Sequence, residues 1–451
     1  MSAARFSFSS DVLESIAADG LKHARKLGAS DAEFEVSEGY GLSVTARMGE
    51  VENIEHNRDK GVSVTVYMGQ RKGNASSSDF SPAAIKATVA AAIDIARYTA
   101  EDDCAGLADP ALYARSPADP GLLYPWTIGV PEAIELAQRV EAAAFAVSPM
   151  IRNSEGASIS AQHSQFIYAN SRGFSGGYAA SRHYVSCSVI AAKSARAKNA
   201  MQRDDWYVSS RDAADFSDPN RIGDYAARRA LSRLGAQRIS TRQCPVLFEA
   251  PVAIGLVGSL VSAVSGGSLY RKTTFLVDSL GKQIFAPHVR ITEDPDVPKG
   301  LASGPFDDEG VATRKRDVVS GGVLQGYFLS SYSARKLGMQ STGNAGGCHN
   351  MMLHPTDSAD FEAMLKKLGT GLLVTDLMGQ GVNYVTGDYS RGAAGYWVEG
   401  GRIVHPVEEI TIAGNLKDMY RGLVAAGSDL LTRGSMTAGS VLIDRMTIAG
   451  D

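Results

Sequence analysis

The spacing of the apolar residues changes between a helical and a strand period along the chain, and this restricts what the chain can fold into. Near the start, apolar residues recur every three to four positions, as on one face of an amphipathic helix: Leu13, Ala17, Leu21 and Ala24. They then alternate with polar residues, as in a half-buried strand: Ala32, Phe34 and Val36. Polar segments such as Asn57–Gly61 are predicted to be turns between strands. The N-terminal part should therefore contain both helices and strands.

The same two periods continue into the middle of the chain. Ser81-Pro82 and Pro131 each open a further helical pattern, because proline favours the first turn of a helix. Between residues 150 and 210 the period is two, and a last helical pattern runs from Ser217 to the stop at Gly235. Its arginines are expected to form a solvated face. Beyond this helix, short strand patterns alternate with glycine-rich turns.

These patterns predict an α+β protein, in which N-terminal helices pack on a curved sheet and a β-rich C-terminal domain follows. The predicted domains are residues 1–220, an N-terminal α/β domain, and residues 221–451, the β-rich domain. The most apolar segment, Pro251–Val264, is interrupted by glycines and serines. It is shorter than the roughly 18 apolar residues that a membrane-spanning helix needs, so we expect a buried core helix.

Composition argues against several classes of function. Charged residues make up 21% of the 451 residues and the net charge is −4, so the basic excess typical of direct nucleic-acid binding is missing. The four cysteines form no CxxC pair, which predicts reduced thiols. The N-terminal residues lack the basic and apolar regions of a secretory signal. We therefore expect a cytoplasmic protein with neither a membrane nor a nucleic acid as its partner.

Long motifs in the C-terminal half carry more specific information. They are SGGSLYRKTTFLVDSLGKQ (265–283), LASGPFDDEG (301–310), SSYSARKLG (330–338), GQGVNYVTGDYSRGAAG (379–395) and EITIAGNLKD (409–418). Together they resemble the PmbA (TldE) branch of the TldD/PmbA metallopeptidase family, also called modulator of DNA gyrase. The N-terminal half is similar by pattern, so the resemblance covers nearly the whole chain.

The resemblance implies a cytosolic protein that takes part in the proteolysis of peptides. The active form of such proteins resembles a heterodimer of a TldD-type and a PmbA-type chain. The TldD-type chain carries a HExxxH metal motif, so zinc is expected in that partner. Unfolded peptides are the expected substrate. The resemblance leaves open whether the isolated PmbA-type chain forms a homodimer.

This sequence contains neither HExxH nor HExxxH. In the family, the metal motif lies just before a Gly-Leu-x-Gly segment, which is similar to Gly255–Gly258 here. By that alignment, the first ligand position is Glu249, the general-base position is Ala250 and the second ligand position is Ile254. A TldD-type cysteine ligand corresponds to Ala438. Because zinc needs at least three good donors, the resemblance implies a chain without a catalytic residue, metal or other cofactor of its own.

One cluster of soft donors offers an alternative. Cys348, His349 and His354 could together bind zinc. The two histidines are five positions apart, however, and would not share one face of a helix. Their apolar neighbours instead indicate a packed segment after a glycine-rich loop.

The segment Gly387–Gly392 is polar and flanked by glycines, which allow a backbone to approach a ligand or another chain closely. We expect a loop in which Asp388, Ser390 and Arg391 contact a peptide or a partner chain. An ion pair between Asp388 and Arg391 within the turn is the structural alternative.

Three functional hypotheses follow. The first is a non-catalytic subunit of a TldD/PmbA metallopeptidase complex that processes or degrades unfolded peptides. The second is a stand-alone metallohydrolase that uses Cys348, His349 and His354. The third is a protein that binds gyrase or a regulator without proteolysis.

Overall fold

The computed structural model describes residues 6–194 and 201–450. Within them, six antiparallel strands form a first sheet in the order β3-β2-β1-β4-β5-β6. These strands are β1 (Asp31–Arg47), β2 (Glu50–Met68), β3 (Arg71–Ser77), β4 (Ile151–Asn170), β5 (Ser175–Ala192) and β6 (Met201–Ser210).

Four helices cover one face of this sheet: α1 (Ser10–Lys26), α2 (Pro82–Tyr98), α3 (Val130–Val147) and α4 (Asn220–Ser232). Alternate strand residues such as Phe34 and Val185 point to these helices and are fully buried. Ser81 caps α2 and is followed by Pro82, as the sequence predicts. The helices form two pairs, because α1 and α2 share one apolar cluster and α3 and α4 share another.

The predicted turn at Asn57–Gly61 is wrong, because these residues lie inside strand β2. They pair in register with residues 37–41 of β1. Their side chains are largely exposed, so no apolar alternation marks the segment as a strand. Its main-chain partners lie on another strand, and a sequence pattern does not reveal them.

The described residues from 242 to 450, which we call the C-terminal module, contain two sheets. A six-stranded sheet has the order β10-β9-β8-β11-β18-β17, and a seven-stranded sheet runs β12-β7-β19-β15-β14-β13, with β16 beside β19. Strand β12 also pairs with β14, so five strands close into a ring. The strands are β7 (Arg242–Phe248), β8 (Ile291–Asp294), β9 (Arg316–Ser320), β10 (Val323–Leu324), β11 (Asn350–Leu353), β12 (Gly371–Met378), β13 (Val382–Asn383), β14 (Asp388–Glu399), β15 (Arg402–Asn415), β16 (Leu423–Ala426), β17 (Leu431–Arg433), β18 (Met436–Ala438) and β19 (Val441–Ala449).

The helices of this module are α5 (Ala250–Ala263), α6 (Gly266–Tyr270), α7 (Ser331–Lys336), α8 (Phe361–Leu368) and α9 (Leu416–Arg421). Helix α5 is the predicted core helix and is buried on most of its circumference. The α+β class, with helices on a sheet followed by a β-rich part, is confirmed. The domain limits stay a prediction, and α4, which begins at the predicted boundary, packs against β5 and β6 of the first sheet.

Among the described residues, the structure contains no helix that is both long and apolar enough to cross a membrane.

Candidate functional site

A cleft of about 520 Å³ lies where the outer strand of the first sheet meets the C-terminal module. Residues 203–207 of β6 form one wall; Arg229 of α4 and Arg233, the residue that follows α4, form a second. The ends of β12 and β17 contribute Asp376 and Arg433. We call this site the arginine cleft.

The Arg229 side chain on α4 connects this helix to strand β6 and to Glu249, the residue before α5. Its Nε donates to Asp204 Oδ1 at 3.0 Å, and its Nη1 lies 2.9 Å and 3.0 Å from the two carboxylate oxygens of Glu249. Glu249 is the residue before α5, and its side chain makes no helix-capping bond. The carboxylate therefore points to Arg229 instead of to the helix terminus.

This ion pair is withdrawn from solvent. The side chains of Arg229 and Glu249 are 13% and 14% exposed. Burial opposes a charge on Arg229, but the Glu249 and Asp204 carboxylates outweigh this effect and raise the Arg229 pKa. Burial raises the pKa of Glu249, and Arg229 opposes that shift. The guanidinium thus supplies the positive charge that the buried carboxylates need.

Arg233 lies one helical turn beyond Arg229, directly after α4, and extends the network. Its Nη1 is 3.3 Å from Asp204 Oδ2 and 3.2 Å from Asp376 Oδ2. Asp204 therefore bridges two guanidinium groups. The network links β6, α4, α5 and β12, so it connects the first sheet to the C-terminal module.

Arg433, the last residue of β17, is held differently. Its guanidinium carbon lies 4.5 Å from the centre of the Trp206 ring and 3.9 Å from that of the Tyr207 ring. Its Nη1 donates to the main-chain oxygen of Tyr207 at 2.6 Å. Burial lowers the pKa of Arg433. Its charge is therefore stabilised by aromatic rings and by one carbonyl group.

The first sheet presents a hydroxyl-rich face away from its helices. Ser43 Oγ lies 3.0 Å from Ser160 Oγ, and Thr45 Oγ1 lies 2.9 Å from Ser158 Oγ on the neighbouring strand. Gln162 Nε2 donates to Ser43 and Ser160. These side chains are half-buried, and we call them the polar wall. Such a surface offers hydrogen bonds to peptide groups without selecting particular side chains.

The positions that correspond to a metal site do not fit a metal. Glu249 is already paired with Arg229. Ala250 and Ile254 are buried and carry no donor atom. Ala438 lies on β18, which packs against α5. The position is therefore near helix α5, as Ala250 and Ile254 are, but alanine also carries no side-chain donor atom for a metal. The residues in these positions therefore cannot assemble the three donors that zinc requires.

The structure does not bring Cys348, His349 and His354 together around one point. Both ring nitrogens of His349 contact main-chain carbonyl oxygens, of Ala302 at 3.1 Å and Gly343 at 2.9 Å. His354 Nε2 instead contacts Thr292 Oγ1 at 2.9 Å. Across residues 6–194 and 201–450, no three His, Cys, Asp or Glu side chains are grouped so that they could hold a metal ion.

Asp388, Ser390 and Arg391 lie at the start of strand β14, so the predicted loop is wrong. Asp388 accepts hydrogen bonds from Thr386 Oγ1 at 2.6 Å and Asn415 Nδ2 at 3.0 Å, and not from Arg391. Glycine-rich composition suggested a loop, but β15 and β13 provide strand partners here.

Arg391 has few partners of its own. Its Nη2 lies 3.5 Å from the carbonyl oxygen of Leu377, and its buried Nε has no hydrogen-bond partner among the described residues. Leu377 is followed by Met378, which lines the arginine cleft. Met378 pairs with Gly392, the residue after Arg391, and Arg391 itself is not among the described residues that line the cleft. The Ser390 side chain is exposed.

The central residues of the cleft were not predicted from the sequence. The arginines of this helical segment were expected to form a solvated face, which holds for Arg228 but not for Arg229 and Arg233. The usable signal was their spacing of four, which places both on one side of a helix. Their partners Asp204 and Glu249 are too distant in sequence to be found from periodicity.

The chain matches three consecutive domains of one family: PmbA/TldA metallopeptidase domain 1 over residues 32–96, the central domain over 123–234 and the C-terminal domain over 241–450. It is 51% identical over 440 residues to "Metalloprotease PmbA" of Escherichia coli O157:H7, which covers 97% of this chain and 96% of the relative.

Two solved structures have the same fold. A protein from Bacteroides thetaiotaomicron, named as a modulator of DNA gyrase, superposes with a TM-score of 0.91 at 25% identity, over 97% of this chain and 99% of that chain. TldE from Thermococcus kodakarensis superposes with a TM-score of 0.84 at 19% identity, over 97% of this chain and 100% of that chain. The latter likeness supports the fold alone.

Proposed function

The chain belongs to the PmbA/TldD metallopeptidase family, and we propose that it is the subunit of a two-chain peptidase that holds unfolded peptides while a TldD-type partner supplies the zinc. In this proposal the complex works in the cytoplasm. The four free cysteines agree with a reducing compartment.

The pairing of Glu249 with Arg229 is the observation that carries this proposal. In the family alignment, Glu249 occupies the first ligand position, and a guanidinium group satisfies its carboxylate here. Ala250 cannot act as the general base that hydrolysis needs. A chain with this fold and these residues keeps the architecture of the peptidase without its reactive centre.

The polar wall supports a role in holding peptides. An extended peptide exposes a regular series of N–H and C=O groups, which hydroxyl and amide side chains can bind whatever the peptide sequence. Ser43, Thr45, Ser160 and Gln162 supply such groups on one sheet face. We infer that this face lines a chamber shared with the partner, in which a threaded peptide reaches the partner's zinc.

The test is a cleavage assay with each purified chain alone and with the two mixed. An unfolded peptide and a folded protein of similar length serve as substrates. The proposal predicts no cleavage by this chain alone, cleavage of the unfolded peptide by the mixture, and an intact folded protein. Cleavage by this chain alone would establish the stand-alone hydrolase instead. A mixture that assembles and cuts nothing would favour a binding role without proteolysis.

We further propose that Asp388, Ser390 and Arg391 face the shared interior or the partner chain. Arg391→Ala should lower assembly or cleavage, because a guanidinium with unused donors would be lost from the proposed interior or interface. The partner's zinc content should stay unchanged. Arg152→Ala, on an exposed position of β4, is the matched control. Unchanged assembly and unchanged cleavage in the Arg391→Ala complex would remove this segment from the site.

A further inference from the structure

Among the described residues, four arginines line the arginine cleft; three of them are paired with carboxylates and one is not. Arg229 and Arg233 are held by Asp204, Glu249 and Asp376. Arg433 forms no ion pair within the described residues. The same cleft therefore presents one guanidinium group that forms no direct ion pair, although the Asp205 carboxylate acts on its charge at longer range.

Most N–H donors of the Arg433 guanidinium group have no hydrogen-bond acceptor among the described residues. A guanidinium group has five N–H donors in a planar fork. Only the bond from Nη1 to the Tyr207 carbonyl oxygen is formed, among residues 6–194 and 201–450. The rings of Trp206 and Tyr207 contact the group and limit its movement. A fixed guanidinium with unused parallel donors matches the two oxygens of a carboxylate.

The acidic residues of the cleft favour a singly charged anion. Asp205 and Asp376 also line the cleft, and they would repel a doubly charged phosphate more strongly than a carboxylate. The side chain of Asp205 makes no hydrogen bond to Arg433. Arg203, the other arginine on this wall, pairs with Glu155 at 2.7 Å. Arg433 is thus the group in this cleft that is best placed to receive an external carboxylate.

We propose that Arg433 binds a carboxylate group of a peptide that enters the arginine cleft. The inference rests on the proposed function, in which this chain holds peptide substrates. The carboxylate comes either from the C-terminus of the peptide or from an aspartate or glutamate side chain. Binding would fix one end of an extended peptide next to Met378 and strand β6, which β5 separates from the polar wall on β1 and β4.

Indole N–H signals allow the binding to be observed in the isolated chain. The sequence has three tryptophans, so a tryptophan-labelled sample gives three such signals, and Trp206→Phe assigns the one in the cleft. Three probes are compared: acetyl-Ala-Ala with a free C-terminus, acetyl-Glu amide, and acetyl-Ala-Ala amide, which carries no carboxylate. We expect saturable shifts of the Trp206 signal with at least one of the first two probes and none with the third.

Arg433→Gln should weaken the affinity for the carboxylate probes about tenfold, which corresponds to the loss of one charge-assisted bidentate contact. Arg433→Lys keeps the positive charge but loses the planar set of guanidinium donors, so it should weaken the affinity for the carboxylate probes by an intermediate amount. This variant replaces Arg433→Gln in the test if the glutamine variant does not fold. Arg152→Gln is the control for a general loss of positive charge. Two results would overturn the inference. One is a wild-type Trp206 signal that does not shift with either carboxylate probe, and the other is an affinity for these probes that Arg433→Gln leaves unchanged.

A second arm separates this inference from the proposed function. An amidated unfolded peptide without acidic residues is offered to the mixture of this chain and its TldD-type partner. Cleavage of that peptide combined with no binding of the carboxylate probes would refute the role of Arg433 alone. Loss of cleavage for every peptide would refute the proposed function, whereas probe binding by the isolated chain would still establish the carboxylate site.

Discussion

At the scale of single residues, the buried ion pair between Arg229 and Glu249 is the central feature of the arginine cleft. A guanidinium group lies against the carboxylate at the first ligand position, and it neutralises this group without providing any reactivity. Removing one partner from such a pair leaves a buried charge uncompensated, which costs far more than breaking an exposed pair.

Arg229→Met should therefore lower the free energy of unfolding by about 3 to 5 kcal/mol, because Glu249 would remain buried without a cation and Asp204 would keep only its contact with Arg233. Arg228→Met is the matched control on the same helix. Arg228 pairs with Asp224 and is 65% exposed, so its loss should leave the free energy of unfolding nearly unchanged. Urea unfolding measures both values, and equal effects of the two substitutions would contradict the structural role of Arg229.

A buried histidine makes stability depend on pH. His163 is 5% exposed, and its Nε2 accepts the main-chain N–H of Trp126 at 3.2 Å. Burial, followed by repulsion from His183, lowers the His163 pKa to about 4. Below about pH 6.5, His163 is protonated in the unfolded chain but stays neutral in the folded chain. The free energy of unfolding therefore decreases as the pH falls towards 4.

His163→Gln should remove part of this dependence. Between pH 7.5 and pH 4.5 the variant should lose about 2 kcal/mol less unfolding free energy than the wild type does. His56→Gln, on the exposed part of β2, should change nothing. Identical losses in the wild type and the His163 variant would show that this histidine is not held neutral by the fold.

The residues of the site were only partly predictable. The alignment on Gly255–Gly258 located Glu249, Ala250 and Ile254, because a motif is a local property of the sequence. Arg229 was not found, because its partners come from β6 and from the start of α5.

At the scale of elements, the apolar period predicted the helices well and failed where strands lack a buried face. Helices α2 and α5 follow their proline and apolar signals. Asn57–Gly61 and Gly387–Gly392 were both assigned to turns or loops because of their polar and glycine residues. Both lie largely in strands, because pairing with a neighbouring strand depends on main-chain groups and not on side-chain type.

Two glycines in helices should respond oppositely to alanine. An added Cβ at Gly223 of α4 would lie 1.9 Å from the Val140 carbonyl oxygen of α3, so Gly223→Ala should force the helices apart and cost about 2 kcal/mol. Gly255 of α5 is exposed with no atom within 4 Å of such a Cβ, and Gly255→Ala should gain about 0.5 to 1 kcal/mol. Thermal unfolding of both variants checks the signs, and a stabilising Gly223→Ala would refute the close contact.

At the scale of the whole molecule, the fold separates two tasks. The helices bury one face of the first sheet and leave its other face as the polar wall, while the C-terminal module closes one end of that face through Phe306 against Phe166 and Tyr178. The arginine cleft lies at the edge of β6, between these two parts. This arrangement agrees with our proposal that the chain receives a peptide and leaves the chemistry to its partner.

The zinc content of the purified chain tests this division of tasks most directly. The chain, its TldD-type partner and their complex are each equilibrated with zinc, freed of loosely bound metal and analysed by mass spectrometry. The account predicts essentially no zinc in this chain and about one zinc for each pair of chains in the complex. About one tightly held zinc in this chain alone would contradict the account.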